Sequence, residues 1–398
     1  MFPKPSPRHI SKSTMLFIGG GMLGYGALEM LWSSETFQSK ALMPLINHYC
    51  DEEASHDLAV RVAAWGLFPR FGTNRKEYPE LNCEFLGKTL KNPIGLAAGF
   101  DKNGEAIRSL AELSGFGLVE IGSVTPIPQK GDARPREFRL QEDEGIISRY
   151  GFNNDGVGKV QKRVREARTE WMDDFAMFGV NIANNRLTDD AKLDYEIGVN
   201  YFAAYSDYIV INVSSPESLN LLSAQKKCEL QKLLVYVKHT VDLMKLQSRP
   251  KVLLKIPPDL GENEKKDIAQ MVTNPRHGID ALIVSDTTMR RPDLLKSGHS
   301  AQVGGLSGAP LRRISTECIR DMYRFTNGRV PIVGCGGISS GADAYEKIRA
   351  GASVVQLYSA LVFHGFPVVG KVKRELAELL RRDGYTNVSQ AVGTDHRV

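Results

Sequence analysis

From Cys83 onward, short apolar runs alternate with longer stretches in which apolar residues recur at helical spacing. A strand buried on both faces reads as a continuous hydrophobic run, and amphipathic segments between such runs supply crossover helices. Strands are predicted at Ile94–Ala98, Leu118–Gly122, Phe178–Ile182, Ile209–Val213, Val252–Ile256, Ala281–Ser285, Pro331–Cys335 and Ser353–Leu357. Eight of them, separated by helical segments, predict an α/β fold, a (β/α)8 TIM barrel whose functional residues lie on the loops after the strands. The long interval from Thr125 to Asp174 predicts an insertion at that face.

Upstream the pattern changes. Thr14 to Trp32 is apolar and rich in small residues, with one acid, Glu29, and it just reaches the roughly 20 residues that span a bilayer. The leader before it carries Lys4, Arg8, His9 and Lys12 without an acid, which suggests mitochondrial import. A cleaved signal competes with a retained anchor; no small-residue cleavage site with clean flanks follows, so residues 1–37 are read as a leader and a single transmembrane helix. Ala41, Leu42, Leu45 and Ile46, then Leu58, Val60, Val62, Ala63, Leu67 and Phe68, recur at helical spacing. Residues 38–75 are expected to form an amphipathic helical pair, either a cap on the core or two helices in a membrane surface with an apolar groove between them. Residues 76–398 are assigned to the barrel.

Composition narrows the function. The chain of 398 residues is 42% hydrophobic and 24% charged, ordinary for a globular protein with a large core. A net charge of +5, with scattered basic residues, points to no nucleic-acid partner. Five cysteines without a C-x-x-C pair, and eight histidines without an i, i+4 pair, give a metal site little support.

Polar residues gather where the apolar strands end. After the first strand comes Ala97-Ala98-Gly99-Phe100-Asp101-Lys102, small residues that let a flat ring approach the backbone, followed by a cation. Later strands end on Gly122-Ser123, on Asn181 and Asn184, on Asn212-Val213-Ser214-Ser215, on Lys255 and on Ser285-Asp286-Thr287-Thr288. Gly304 to Gly308 could cradle an oxyanion, and the last two strands finish on Gly336-Gly337 and Tyr358-Ser359, where barrels bind phosphate. Taken singly, each is more often a turn former or a solvated charge. Together on one face, they describe a pocket for a flat, hydrogen-bonding, phosphorylated cofactor such as FMN, with Lys255 as the charge that stabilises the reduced ring. Schiff-base aldolase chemistry at Lys255 is a weaker rival, because it leaves the rest of the set unused.

Nine motifs then carry a resemblance. GLAAGFDKNGE, EIGSVTP, PREFRL, RYGFNN, NVSSP, LLKIPPDL, GGLSGAPLR, CGGISSGADAYEKIRAGASVVQLYSAL and PVVGKVKREL occur in this order. The chain from about Met43 to its end resembles the membrane-linked, quinone-dependent (class 2) dihydroorotate dehydrogenases. The resemblance implies an FMN-containing barrel, a helical pair that forms a quinone tunnel, and attachment to mitochondrial inner membrane lipid. It implies oxidation of dihydroorotate to orotate in pyrimidine synthesis, with ubiquinone as acceptor.

Carried over residue by residue, it places Ala97, Ala98, Gly99, Phe100, Asp101, Ser123, Asn181, Asn212, Lys255, Ser285, Gly308, Gly337, Tyr358 and Ser359 around FMN. Lys102, Arg149, Tyr150, Gly151, Phe152, Asn212 and Thr287 would face the pyrimidine, and Ser215 would be the base that takes the C5 proton while hydride leaves C6. A serine hydroxyl needs a relay, for which Ser218 and Phe152 stand at the matching positions. Asn47, His56, Arg139 and Tyr358 would line the tunnel.

Three positions where the family has asparagine carry Ser148, Glu217 and Asp286, and in the lid after Pro216 Asn220-Leu221-Leu222 replaces the family's Gly-Leu-Arg. An ionised carboxylate accepts but cannot donate. Each one near the substrate carboxylate costs roughly 1 to 4 kcal/mol, unless burial protonates it or Lys102 pairs with it. The alternative these positions imply is an FMN-binding barrel that has lost orotate, or one that uses another substrate.

Overall fold

The structure is a computed structural model that describes residues 26–68, 73–169, 176–188, 190–214 and 227–397. An antiparallel hairpin of β1 (Cys83–Phe85) and β2 (Lys88–Leu90) opens the barrel domain. Eight parallel strands then close on themselves: β3 (Ile94–Leu96), β4 (Leu118–Val124), β7 (Met177–Ile182), β8 (Tyr208–Asn212), β9 (Lys251–Ile256), β10 (Ala281–Val284), β12 (Ile332–Cys335) and β13 (Val354–Leu357). The ring follows chain order and closes by pairing β13 with β3, so each apolar run found in the sequence is one stave. Closure buries both faces, which is why β8 is buried at every residue and carries Ile-Val-Ile at its centre.

The interval after β4 does contain an insertion. β5 (Glu137–Leu140) and β6 (Gly145–Ser148) form a hairpin there, and β11 (Gly305–Gly308) adds to the far side of β6. Within the Gly304 to Gly308 segment expected as a cradle, Gly305 to Gly308 also form an edge strand, registered Gly305 to Ser148 and Gly308 to Gly145. This three-stranded sheet has its own small core of Phe138, Leu140, Ile147 and Leu306.

At the amino end, residues 26–32 are helical, and a short turn Glu35–Phe37 and a π-helical stretch Gln38–Leu42 lead into α1 (Met43–Tyr49). α2 (Glu52–Ala64) starts at Asp51, whose carboxylate accepts the free amides of Glu53 and Ala54. Among the described residues no helix is long and apolar enough to cross a membrane, and most of the span expected from Thr14 to Trp32 lies outside them. The helical pair is present as predicted. It turns Val60 and Ala63 toward the core and leaves Leu45, Tyr49, Leu58, Trp65 and Leu67 exposed.

A buried ion pair fixes α2 to the inserted sheet. Arg136 Nε and Nη2 donate to the two carboxylate oxygens of Glu53 at 3.0 and 3.1 Å, and both residues are buried. Glu53→Ala leaves that guanidinium uncompensated and is expected to cost roughly 3 to 5 kcal/mol, read as a lowered denaturation midpoint.

Candidate active site

Two cavities lie side by side at the carboxyl end of the barrel, one of about 80 Å³ and one of about 380 Å³. Ala98, Lys255, Asp286, Thr287, Ser307 and Tyr358 belong to the walls of both, so the two form one continuous site. Ala97, Ser285, Gly308, Gly337 and Ser359 line the smaller cavity. Gly99, Lys102, Ser123, Ser148, Arg149, Tyr150, Gly151, Phe152 and Asn212 line the larger one.

The smaller cavity is a backbone cradle. Gly308 has φ +86°, and a Cβ there would lie 2.3 Å from the Glu144 carbonyl oxygen. Gly337 has φ +71°, and its Cβ would lie 2.6 Å from Cα of Arg312. Only glycine meets both conditions without strain. Arg312 opens α8 (Arg312–Thr326; helices α3 to α7 are Ile107–Leu113, Gly156–Thr169, Ala191–Phe202, Lys227–Leu243 and Glu262–Val272). The first turn of α8 is pinned from below by Lys347, which the sequence reading missed. Its ammonium donates to Arg312 O, Ser315 Oγ and Thr316 Oγ1 at 3.2, 3.1 and 3.0 Å, and burial pulls its pKa down to about 8. A cation in the Glu346-Lys347-Ile348 stretch shortly before an apolar strand was the available signal.

Beneath the larger cavity a hydrogen-bond ladder crosses the barrel. Asn212 Nδ2 donates to Ser123 Oγ at 3.2 Å, Ser123 Oγ to Asn181 Oδ1 at 2.6 Å, and Asn181 Nδ2 to Glu120 Oε1 at 2.9 Å. Gln356 Nε2 donates to the other Glu120 oxygen at 2.8 Å. Glu120 is fully buried; burial raises its carboxyl pKa, and Lys255 works in the opposite direction. Its signal was visible as a lone acid inside an apolar strand. Gly179 makes room for this arrangement, since a Cβ there would fall 2.1 Å from the Tyr208 ring, whose hydroxyl reaches Glu120.

Lys255, next to last in β9, stands in register with Asn212 on one side and Ile283 on the other. Its Nζ is 3.8 Å from Asp286 Oδ2. Burial alone would lower this ammonium, but Asp286, then Cys335 and Glu120, more than offset it and hold it above the ordinary lysine range. Asp286 therefore pairs with Lys255; of the two acids, Glu217 and Asp286, for one of which Lys102 is the expected partner, Asp286 does not take it. Lys102 Nζ instead lies over the Tyr150 ring, 3.1 Å from its centroid, and Tyr150 donates its hydroxyl proton to Glu137. Burial lowers the Lys102 pKa to about 8 against the pull of Glu137.

Three residues expected around the cofactor stand behind these walls. Phe100 and Asp101 are buried, and the Asp101 carboxylate accepts the amides of Glu105 and Ala106 at 2.8 Å, which fixes the loop after β3. Asn181 reaches the cavity through Ser123. Ser215 and Glu217 lie outside the described residues; Ser214, just before them, lines the larger cavity and is held by Asn212 Oδ1 and the Lys255 carbonyl.

On the side of the helical pair, Tyr358 connects site and helices. His56 Nδ1 is 3.0 Å from the Tyr358 hydroxyl and Nε2 is 2.9 Å from the Phe100 carbonyl. Burial, then Lys102, lower the His56 pKa to about 3, so the ring is neutral. Arg139 donates to the carbonyls of Asn47 and Cys50 and to Ser55 Oγ, and Asn47 Nδ2 donates to Val362 O in α10 (Ser359–His364, after α9, Gly341–Arg349).

Residues 80–380 match the dihydroorotate dehydrogenase family model. The chain belongs to the dihydroorotate dehydrogenase family. Among relatives, it is 46% identical over 385 residues to the mitochondrial dihydroorotate dehydrogenase (quinone) of Mus musculus, covering 96% of each chain. It is 45% identical over 348 residues to the dihydroorotate dehydrogenase (quinone) of Rhodospirillum rubrum, covering 87% of this chain and 92% of the relative. A crystal structure of DHODH from Eimeria tenella in complex with ferulenol superposes with a TM-score of 0.82 at 39% identity, over 87% of this chain and 96% of that one. The quinone-dependent class named from the motifs is thus the class of these relatives, and the barrel of the solved family member is the barrel described above.

Proposed function

We propose that this protein is a dihydroorotate dehydrogenase that oxidises dihydroorotate to orotate and delivers the electrons to a quinone. The observation that carries the reading is the position of Tyr358, which lines both cavities and meets His56 of the helical pair, so one side chain borders cofactor, substrate and quinone sides.

The residues present suit FMN. Ala97, Ala98 and Gly99 offer a flat floor, Gly308 and Gly337 a cradle that a Cβ would fill, and Lys255 a cation beside amides and hydroxyls. When bound, FMN would accept the hydride and relay two electrons onward. Lys102 and the loop from Ser148 to Phe152 would hold the pyrimidine, with Asn212 and Thr287 on the facing strands. Ser215 would take the C5 proton. On the far side, neutral His56, with Arg139 and Asn47, would order an apolar passage that excludes water. The exposed Leu45, Tyr49, Leu58 and Trp65 suit burial in membrane lipid; the reading includes the mitochondrial inner membrane and a single span ahead of the pair.

Orotate formation from dihydroorotate with a soluble ubiquinone analogue is the test. Flavin-loaded protein that yields no orotate would overturn the reading and favour a barrel without its pyrimidine. The pH profile should carry the mark of Lys102. Its proton is lost as pH rises through about 8, so kcat/KM for the anionic substrate is expected to fall above that value. In Lys102→Arg the limb should vanish, because a guanidinium does not titrate there.

A further inference from the structure

We infer that Asp286 sets the reduction potential of the bound flavin by neutralising Lys255, and so acts as a positioning residue for charge in the site. The inference rests on the FMN reading above. Its basis is geometric. Lys255 is buried at the shared wall of the two cavities, and Asp286, on the same wall, brings a carboxylate oxygen to 3.8 Å from its ammonium. The other Asp286 oxygen accepts the Thr287 amide at 2.7 Å, which fixes the carboxylate where the pair forms. The fully buried Glu120 supplies a second acidic group on the barrel side of Lys255.

Two-electron reduction of a flavin by a hydride adds one negative charge to the ring. A nearby free ammonium favours that charge; an ammonium already matched by a carboxylate favours it much less. Opposite charges at this separation, in the effective dielectric of a protein site, interact strongly enough to shift an equilibrium at the ring. Removing the Asp286 charge should therefore make reduction easier. The same carboxylate leaves the substrate side with less free positive charge, so Lys102 carries more of the recognition of an anionic substrate.

The test is an equilibrium potential measurement with a reference dye on flavin-loaded wild type, Asp286→Asn and, as a charge control outside both cavities, Asp155→Asn, whose carboxylate pairs with Arg163. In Asp286→Asn the ratio of reduced to oxidised flavin at fixed potential should rise at least about tenfold, equivalent to about 30 mV for this two-electron couple. Asp155→Asn should match wild type. Yellow Asp286→Asn with the wild-type potential overturns the inference, as does an equal shift in the control. Should Asp286→Asn fail to hold flavin, Asp286→Ser is measured instead with the same expectation. Loss of flavin from both, beside yellow wild type, also overturns it, because the carboxylate would then be holding the cofactor. Colourless wild type is a different result: it rejects the FMN reading itself.

Discussion

Gly337→Val should purify without flavin. The residue sits at φ +71°, and its new side chain would start 2.6 Å from the backbone of Arg312, the residue that opens α8. Either the loop after β12 or the first turn of the helix has to move, and the helix turn is held by Lys347. A strained left-handed residue costs about 1 to 3 kcal/mol before any clash is counted. If the loop yields, FMN affinity falls roughly a hundredfold or more, since each 1.4 kcal/mol is tenfold. The absorbance ratio of flavin to protein after gel filtration reads this. Gly158→Ala, in the first turn of α4 where nothing lies within 4 Å of the added carbon, should retain full flavin and gain a little stability.

Ser215→Ala should separate binding from chemistry. If its hydroxyl takes the C5 proton, the variant keeps FMN, is reduced by dithionite like wild type, and is reduced by dihydroorotate about 10²- to 10⁴-fold more slowly. Strand β8 ends at Asn212, and Ser214 is tied to Asn212 and to the Lys255 carbonyl. The chain therefore enters the next residue from a fixed point on the wall of the larger cavity. Rapid-reaction spectroscopy at the flavin band measures the rate. A wild-type rate in Ser215→Ala would assign the proton to another group.

Much of this architecture was legible because barrel strands are buried on both faces and so announce themselves as apolar runs. All eight were found, most within a residue or two of their observed ends, and the polar residues at their carboxyl ends do line one site. The sheet of β5, β6 and β11 was not. Glu137, Arg136 and Arg139 are polar yet buried, because each meets a partner from another element, and a local apolar pattern cannot report such pairing. For the same reason the role of Glu120 emerged only with its four strands in place. Asp286 was recognised as unusual from its type alone; that its partner is Lys255 depends on β9 and β10 being neighbours.

On the proposed function, the two joined cavities hold one flavin that dihydroorotate reduces and quinone reoxidises. This is tested most directly by an anaerobic titration of the purified protein in the visible range. Yellow protein that bleaches with about one dihydroorotate per flavin, and recovers its colour on addition of a ubiquinone analogue, is the predicted result. Protein that stays yellow under dihydroorotate, or that carries no flavin at all, would contradict it.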